Sequence, residues 1–304
     1  MPVSGWTKAM RAGDFAVAWR ITDRDLRTFA YAPKHIGPRH LQRIWRGEPF
    51  ADRDVLVRCY HGLGDTIQFL RFMRPLGELA RSVTVWCQEE LLPLVERTAG
   101  VDRAFALHDG APEANFEVDI EIMEVPHALR VSCEQVGMRA PYLELPRQDA
   151  AADLDREGFS VGLVWQVGEW DKRRAIPSHL LRSLAVPGVT LHALQSGARK
   201  EELDRIGARD ISTPGIADLG HVLNQLDLVI CVDTMVAHLA GALGREAWVL
   251  LHTDCDWRWP LSGDRSIWYP SMRLFHQTRP GDWTDVVAEV AVKLSARAQF
   301  DKPG

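Results

Sequence analysis

The chain contains no stretch of about 18 uncharged apolar residues of the kind that spans a bilayer. Its opening residues, MPVSGWTKAMRAGDF, lack the hydrophobic run of a secretion signal. No transmembrane segment and a cytoplasmic location are therefore expected. Cysteine is sparse: Cys59, Cys87, Cys133, Cys231 and Cys255 are widely scattered and form no CxxC pair. That excludes a zinc knuckle and reads as five reduced thiols, with Cys59 and Cys231 filling strand positions. An excess of positive charge is also missing, since 36 Lys and Arg against 41 Asp and Glu leave a net charge of −5. Nucleic acid is accordingly not an expected partner. Two common phosphate signatures are absent as well, because no GKS or GKT follows a glycine loop and no GxGxxG occurs. Neither an internal repeat nor a low-complexity tract is visible.

What is present is a globular α/β pattern. At 304 residues, with 46% apolar and 25% charged residues, the chain exceeds one typical core, so two halves of roughly 150 residues each are the natural expectation. Residues 1–50 read as a helical segment and linker: two short helices over 6–29, broken at Gly13, then a proline-containing connection over 31–53. The AMRAGDFAVAW portion is faintly like half of a tetratricopeptide repeat, although a lone unit cannot form a solenoid. A first Rossmann-like domain is expected over 51–145, with strands at 55–59, 82–86, 104–107 and 118–122 and helices at 66–80 and 90–98. Residues 141–159, containing QDAAADLDREG, read as the interdomain linker. A second Rossmann-like domain over 160–295 carries strands at 161–165, 190–194, 228–232 and 247–251.

Two strand-turn-helix segments stand out. In DLVICVDTMVAHLAGALGREAWVLL, residues 227–251, an apolar strand ends at Asp233 and Thr234, where a helix begins. Amides at such a helix start favour an anion. His238 follows Thr234 by four residues, which places both side chains on one helix face. The alternative is an N-capping Asp233 and a buried structural histidine. In the first half, the strand at 55–59 runs into Tyr60, His61 and GLGDTIQF, where Gly62 and Gly64 permit a sharp turn and Asp65 and Thr66 open a helix. Here the alternative is an ordinary turn with Asp65 as cap.

These two segments, together with DWRW, WYPSMRLFHQ and PGDW, resemble the bacterial glycosyltransferases related to lipopolysaccharide heptosyltransferases, especially those fused to tetratricopeptide repeats. The likeness runs from about residue 41 to residue 294, with the motifs in the same order. It implies a GT-B architecture: α/β, two Rossmann-like domains with parallel sheets facing a central cleft. A nucleoside diphosphate sugar donor held mainly by the second domain, and no metal or cofactor, are implied with it.

The resemblance makes Asp65 the general base for the acceptor hydroxyl, with His61 as the second candidate. A carboxylate at a helix start is a weak base alone, so burial or a neighbour such as His61 or Glu124 would have to compensate. The diphosphate has two expected suppliers of hydrogen bonds. One is the Asp233, Thr234, Met235 helix start with His238; the other is the loop QVGEWDKRRAIP after Trp165, with Lys172 and Arg174 as ligands and Arg173 beside them. Asp233 is assigned to capping and to a sugar or ribose hydroxyl. Gly62, Gly64, Thr66, Gln68 and Gln195 complete the substrate-binding set. Relatives often read LQKG after the strand that here ends in Gln195, Ser196, Gly197, so the lysine's charge is either moved to Arg199 or Lys200 or lost. Asp254 and Asp256 lack a third ligand, and no metal site is expected. The aromatic cluster Trp257, Trp259, Trp268 and Tyr269 suits sugar or base faces, or simply packs the domain.

The reading is an inverting, metal-independent transferase acting on a glycan, small-molecule or protein hydroxyl. Its alternatives are a nucleotide-sugar epimerase or hydrolase, and a catalytically degenerate module that binds a nucleotide sugar or a protein.

Overall fold

The structure, a computed structural model, describes residues 3–137, 140–147 and 158–300, so most of the expected linker at 141–159 lies outside the described residues. Contacts divide the chain into two units, Met1–Pro146 and Arg147–Gly304. Among the described residues no helix is long and apolar enough to cross a membrane.

The first unit opens with helices α1 (Gly5–Arg11) and α2 (Phe15–Phe29), each started by a side chain that accepts a backbone N–H, Ser4 for Thr7 and Asp14 for Val17. Gly13 sits between them at φ 72°, the left-handed conformation that ends α1 without a Cβ penalty. The pair is tied to the unit by Trp19, whose Nε1 donates to the Val131 carbonyl at 2.8 Å. Four strands follow: β1 (Asp54–Arg58), β2 (Ser82–Cys87), β3 (Arg103–Ala106) and β4 (Val118–Glu121). All pair in parallel in the order β3-β2-β1-β4.

The helix expected over 66–80 is divided. It starts three residues earlier as α3 (Leu63–Phe69), passes through a 3-10 turn at Leu70–Phe72 and resumes as α4 (Met73–Gly77). Pro75 explains the break, because it has no N–H and its ring collides with the carbonyl four residues back, so it is tolerated only in a first turn. Pro93 acts likewise: the helix expected over 90–98 shrinks to α5 (Leu92–Val95) behind a 3-10 turn. The short helices α6 (Val125–Ala128) and α7 (Cys133–Gly137) complete the described part of this unit.

The second unit has six parallel strands, β5 (Phe159–Val164), β6 (Val189–Ala193), β7 (Ala208–Asp210), β8 (Leu228–Val232), β9 (Ala247–Leu251) and β10 (Met272–His276), in the order β10-β9-β8-β5-β6-β7. This is the doubly wound order, in which the chain builds outward from the central strand on one side and then on the other. Four helices accompany the sheet: α8 (Lys200–Ile206), α9 (Ile216–Gln225), α10 (Met235–Ala242) and α11 (Thr284–Phe300). Two alternating rows explain the core. Phe159, Val161 and Leu163 of β5 and Leu228, Ile230 and Val232 of β8 point to the face covered by Val286, Val287, Val290 and Leu294 of α11. The parallel sheets expected from the buried apolar runs are present in both units. The strands β7 and β10 were not anticipated; β7 is three residues with a mostly exposed pattern, too short for periodicity to register.

Candidate functional site

In each unit the strand order reverses beside the first strand of the sheet, between β1 and β4 and between β5 and β8. Ligands of open α/β sheets bind outside the carboxyl ends of strands at such a reversal. The two strand-turn-helix segments singled out from the sequence, after β1 and after β8, fall at these two places.

In the first unit, β1 runs through buried Cys59 to Tyr60 and His61. Gly62 is the N-cap of α3 at φ −70°, and Gly64 lies inside that helix. Neither glycine takes a positive φ, so the sharp glycine turn expected here is instead an extended cap. Asp65 is the third helical residue, and its Oδ2 accepts the Gly62 N–H at 2.9 Å. A Cβ on Gly62 would fall 3.2 Å from that oxygen, which is why the position suits glycine. Thr66 and Gln68 are fully buried, and the Thr66 hydroxyl donates to Gln88 Oε1 at 3.0 Å. Thr66 therefore serves the turn from inside, and Gln68 is enclosed in the core, so neither faces a ligand as the substrate-binding set expected. Gln88, just past β2, also donates to the His61 carbonyl at 2.6 Å and fixes the turn from the other side.

Two carboxylates at the end of β4 shape this site. Glu121 is buried; it accepts the Tyr60 N–H at 3.2 Å, His61 Nδ1 at 3.0 Å and the Met123 N–H at 2.7 Å. Its partner Glu124 accepts the N–H groups of Ile44, Trp45 and Glu121 through one oxygen, at 3.0–3.2 Å. Burial pushes the Glu124 carboxyl up to about 7, against the pull of those donors and with help from the Glu121 charge.

The raised value has a consequence for stability. The folded state holds this proton more tightly than the unfolded chain, so stability is greatest below the ordinary glutamate value and falls as pH rises towards 7. A shift of this size corresponds to at most about 3 kcal/mol. Glu124→Gln keeps an acceptor for the three N–H groups and removes the titration. Its melting temperature should exceed that of the wild type at pH 8, with the gap closing towards pH 5; a gap independent of pH would show that Glu124 is not the source.

In the second unit, β8 ends at Val232, and Thr234 is the N-cap of α10 at φ −145°, with no side-chain cap bond. Asp233 is thus not the cap expected from the sequence. It is 6% exposed; burial, with the charge of Asp256 behind it, pushes its carboxyl up to about 6 while Arg174 and Arg258 pull it down. Arg174 Nη1 donates to the Asp233 carbonyl at 2.7 Å and lies 3.8 Å from its Oδ2. The Thr234 Oγ1 is buried with no hydrogen-bond partner, and Met235 begins α10 beside it.

His238 is enclosed rather than presented beside the Thr234 hydroxyl. It is 5% exposed, its Nδ1 is 3.0 Å from the Tyr269 hydroxyl, and its ring stacks on Trp259 at 5.8 Å. Its Nε2 is 3.9 Å from Asp233 Oδ1, so it bears on Asp233 and not on an outside ligand. The wall behind it is tight because a Cβ on Gly241 would fall 2.3 Å from Tyr269 Cδ1.

The loop after β5 is only partly in this site. Trp165 is core, 1% exposed, and its indole N–H has no hydrogen-bond partner. Lys172 is exposed and pairs with Glu169 at 2.9 Å, leaving Arg174 as the basic residue of the run that meets Asp233. Gln195 accepts the Gln166 N–H at 2.9 Å, joining the ends of β5 and β6. Arg199 and Lys200 pair within α8, with Glu202 at 3.6 Å and Asp204 at 2.9 Å. Asp254 meets Arg173 at 3.3 Å and Asp256 meets Arg258 at 2.7 Å, so each carboxylate of the DxD-like pair has an arginine partner. Sequence reasoning missed Glu121, Gln88 and the pairing of Arg258 with Asp256. Glu121 carried a signal, an acid closing an apolar strand at the carboxyl edge; the other two became visible only with the packing.

No family model matches the chain, and no curated protein matches it in sequence. Solved structures do. A glycosyltransferase family 9 protein from Veillonella parvula is 11% identical with a TM-score of 0.56, covering 84% of this chain and 99% of its own. The heptosyltransferase WaaC of E. coli, solved with ADP, is 12% identical at a TM-score of 0.52, covering 81% of this chain and 99% of its own. The iron-containing dodecameric glycosyltransferase TibC from enterotoxigenic E. coli is 12% identical at a TM-score of 0.54, covering 84% and 82%. At this level of identity the likeness concerns the fold: the chain has the two-sheet α/β fold of the heptosyltransferase-like GT-B glycosyltransferases.

Proposed function

We propose that the protein is a glycosyltransferase that moves a sugar from a nucleoside diphosphate sugar to an acceptor hydroxyl, with inversion and without a metal. The observation that carries the reading is the end of β8. A buried, unpartnered Thr234 hydroxyl, the first amides of α10 and the Arg174 guanidinium converge beside Asp233 at the strand-order reversal. Donors of this kind suit a diphosphate, and WaaC was solved with ADP.

In a single displacement the acceptor oxygen bonds to the anomeric carbon as the bond to the diphosphate oxygen breaks. The acceptor proton goes to Asp65, and the leaving charge is met by Arg174, the α10 amides and the Thr234 hydroxyl. A guanidinium and aligned amides supply the charge stabilisation that a metal provides elsewhere.

The second reading, a module that binds the donor without turnover, is favoured by one observation: Arg199 and Lys200 are paired within their own helix and do not replace the lysine absent at Ser196. Incubation with a panel of nucleotide sugars separates the readings. A transferase raises its melting temperature with one donor and slowly releases the nucleoside diphosphate; a binder shows the shift alone, and neither response would end both.

A further inference from the structure

The connection between α2 and β1 differs from the rest of the chain in both charge and surface. Residues 26–47 contain Arg27, Lys34, Arg39, Arg43 and Arg46 and no Asp or Glu, in a chain whose net charge is −5. Lys34 pairs with Glu48 at 3.0 Å and with Asp119 at 3.4 Å. The guanidinium groups of the four arginines meet no carboxylate among the described residues. The same stretch carries Phe29, Tyr31, Ile36 and Leu41, four of the ten large apolar side chains exposed among the described residues. Tyr31 is 99% exposed, Ile36 71% and Leu41 70%. Single exposed apolar side chains are ordinary, but four close together beside unopposed positive charge mark an interaction surface.

The segment is anchored. Ile44 and Trp45 are buried, and their N–H groups donate to Glu124 at 3.2 and 3.0 Å. Arg46 Nη2 donates to the Ala32 carbonyl at 3.3 Å, Gln42 Nε2 donates to the Gly37 carbonyl at 2.8 Å, and the Arg43 guanidinium lies 4.9 Å from the centroid of the Phe29 ring. These contacts gather the neighbours of Tyr31, Ile36 and Leu41 into one surface with the arginines. Arg39 fastens it to the sheet: its guanidinium lies 5.4 and 5.2 Å from the ring centroids of Tyr60 and Trp86, and its Nη2 donates to the His108 carbonyl. The surface therefore adjoins the end of β1, where Tyr60 leads into His61.

We propose that this segment docks the first unit on an anionic lipid membrane, with Tyr31, Ile36 and Leu41 entering the headgroup region and Arg27 and Arg43 meeting lipid phosphates. The apolar side chains stand out almost fully exposed and do not line a groove. Such tips suit a soft interface, whereas a protein partner would need a pocket for each. Arginine stems can lie along acyl chains while their heads stay among the phosphates, and a tyrosine ring suits the boundary between the two. No donor-binding residue takes part, so the inference stands independently of the transferase reading.

The test is co-sedimentation of the intact protein with phosphatidylcholine vesicles, with and without about one third phosphatidylglycerol. The wild type is expected to bind the anionic vesicles, to bind phosphatidylcholine alone at least about tenfold more weakly, and to lose affinity between about 0.1 and 0.5 M salt. Tyr31→Ser, Ile36→Ser and Leu41→Ser combined should lower anionic-vesicle affinity by about tenfold or more. Arg27→Gln with Arg43→Gln should do the same, at about fivefold for each charge. The replaced side chains are exposed, so melting temperatures should not move; if the triple variant does not fold, the arginine pair carries the test. Val292→Ser, at a 72% exposed apolar position on α11, is the control and should bind like the wild type. Absence of binding to anionic vesicles at low salt overturns the proposal, as do variants that bind like the wild type or a control that loses as much as they do. If the wild type ignores vesicles but forms a concentration-dependent dimer that the triple variant loses, the surface belongs to a second copy of the chain and the membrane assignment falls.

Discussion

Asp65→Asn is expected to lower turnover by about 10²–10⁴-fold while leaving donor affinity and melting temperature nearly unchanged. The geometry makes the separation clean. Asp65 accepts the Gly62 N–H at the start of α3. An asparagine retains an oxygen for that bond and the size of the side chain, so the cap survives and only the proton-accepting charge is lost. Asp65→Ala removes both and should cost, besides the activity, about 1 kcal/mol of stability. The proposed donor contacts, at Arg174 and the start of α10, belong to the second unit, so titration with the nucleoside diphosphate should not distinguish the three proteins. Should Asp65→Asn turn over at nearly the wild-type rate, the carboxylate is a cap alone. The proton then falls to His61, whose Nδ1 already faces the buried Glu121 carboxylate at 3.0 Å. His61→Gln is the variant to assay next.

Much of this arrangement was legible from the chain alone, and the reasons are local. The strands read at 55–59 and 228–232 could be placed because strands buried on both faces leave a largely hydrophobic signature, unbroken in the second and interrupted by Arg58 in the first. The turns after them could be read as ligand loops because glycine, aspartate and threonine at a strand-to-helix junction have few other uses. The loss of accuracy begins where tertiary packing decides direction. Thr66 and His238 have residue types that often bind ligands, yet one anchors Gln88 and the other is walled in by Tyr269 and Trp259. Helical spacing put His238 one turn after Thr234 but could not show that Tyr269 and Trp259 cover its ring. Asp233 was misplaced as a cap because a one-residue shift of the helix start hands that position to Thr234. The prolines at 75 and 93 were readable breakers within helices drawn too long.

The other large expected effect lies beneath the first site, on the pair that joins β1 to β4. Arg58 and Asp119 are each 4% exposed. Arg58 Nε and Nη2 reach Asp119 Oδ2 at 3.0 and 2.9 Å, and its Nη1 donates to the Tyr60 hydroxyl at 2.9 Å. Lys34 and His35 approach the same carboxylate at 3.4 and 3.1 Å. Asp119→Ala leaves the buried guanidinium without its countercharge and should destabilise the protein by about 3–5 kcal/mol, read from the midpoint of urea unfolding. The loss is mainly the cost of an unpaired buried charge and only in small part a lost attraction. Replacing both members, Arg58→Met with Asp119→Leu, should therefore recover most of it. A double variant as unstable as Asp119→Ala would mean that the pair also specifies how β1 delivers Tyr60 and His61 to their places. A single variant that loses less than about 1 kcal/mol would mean that Lys34 already neutralises the carboxylate and that Arg58 is satisfied by the Tyr60 hydroxyl and the ring of Phe116, 5.5 Å from its guanidinium.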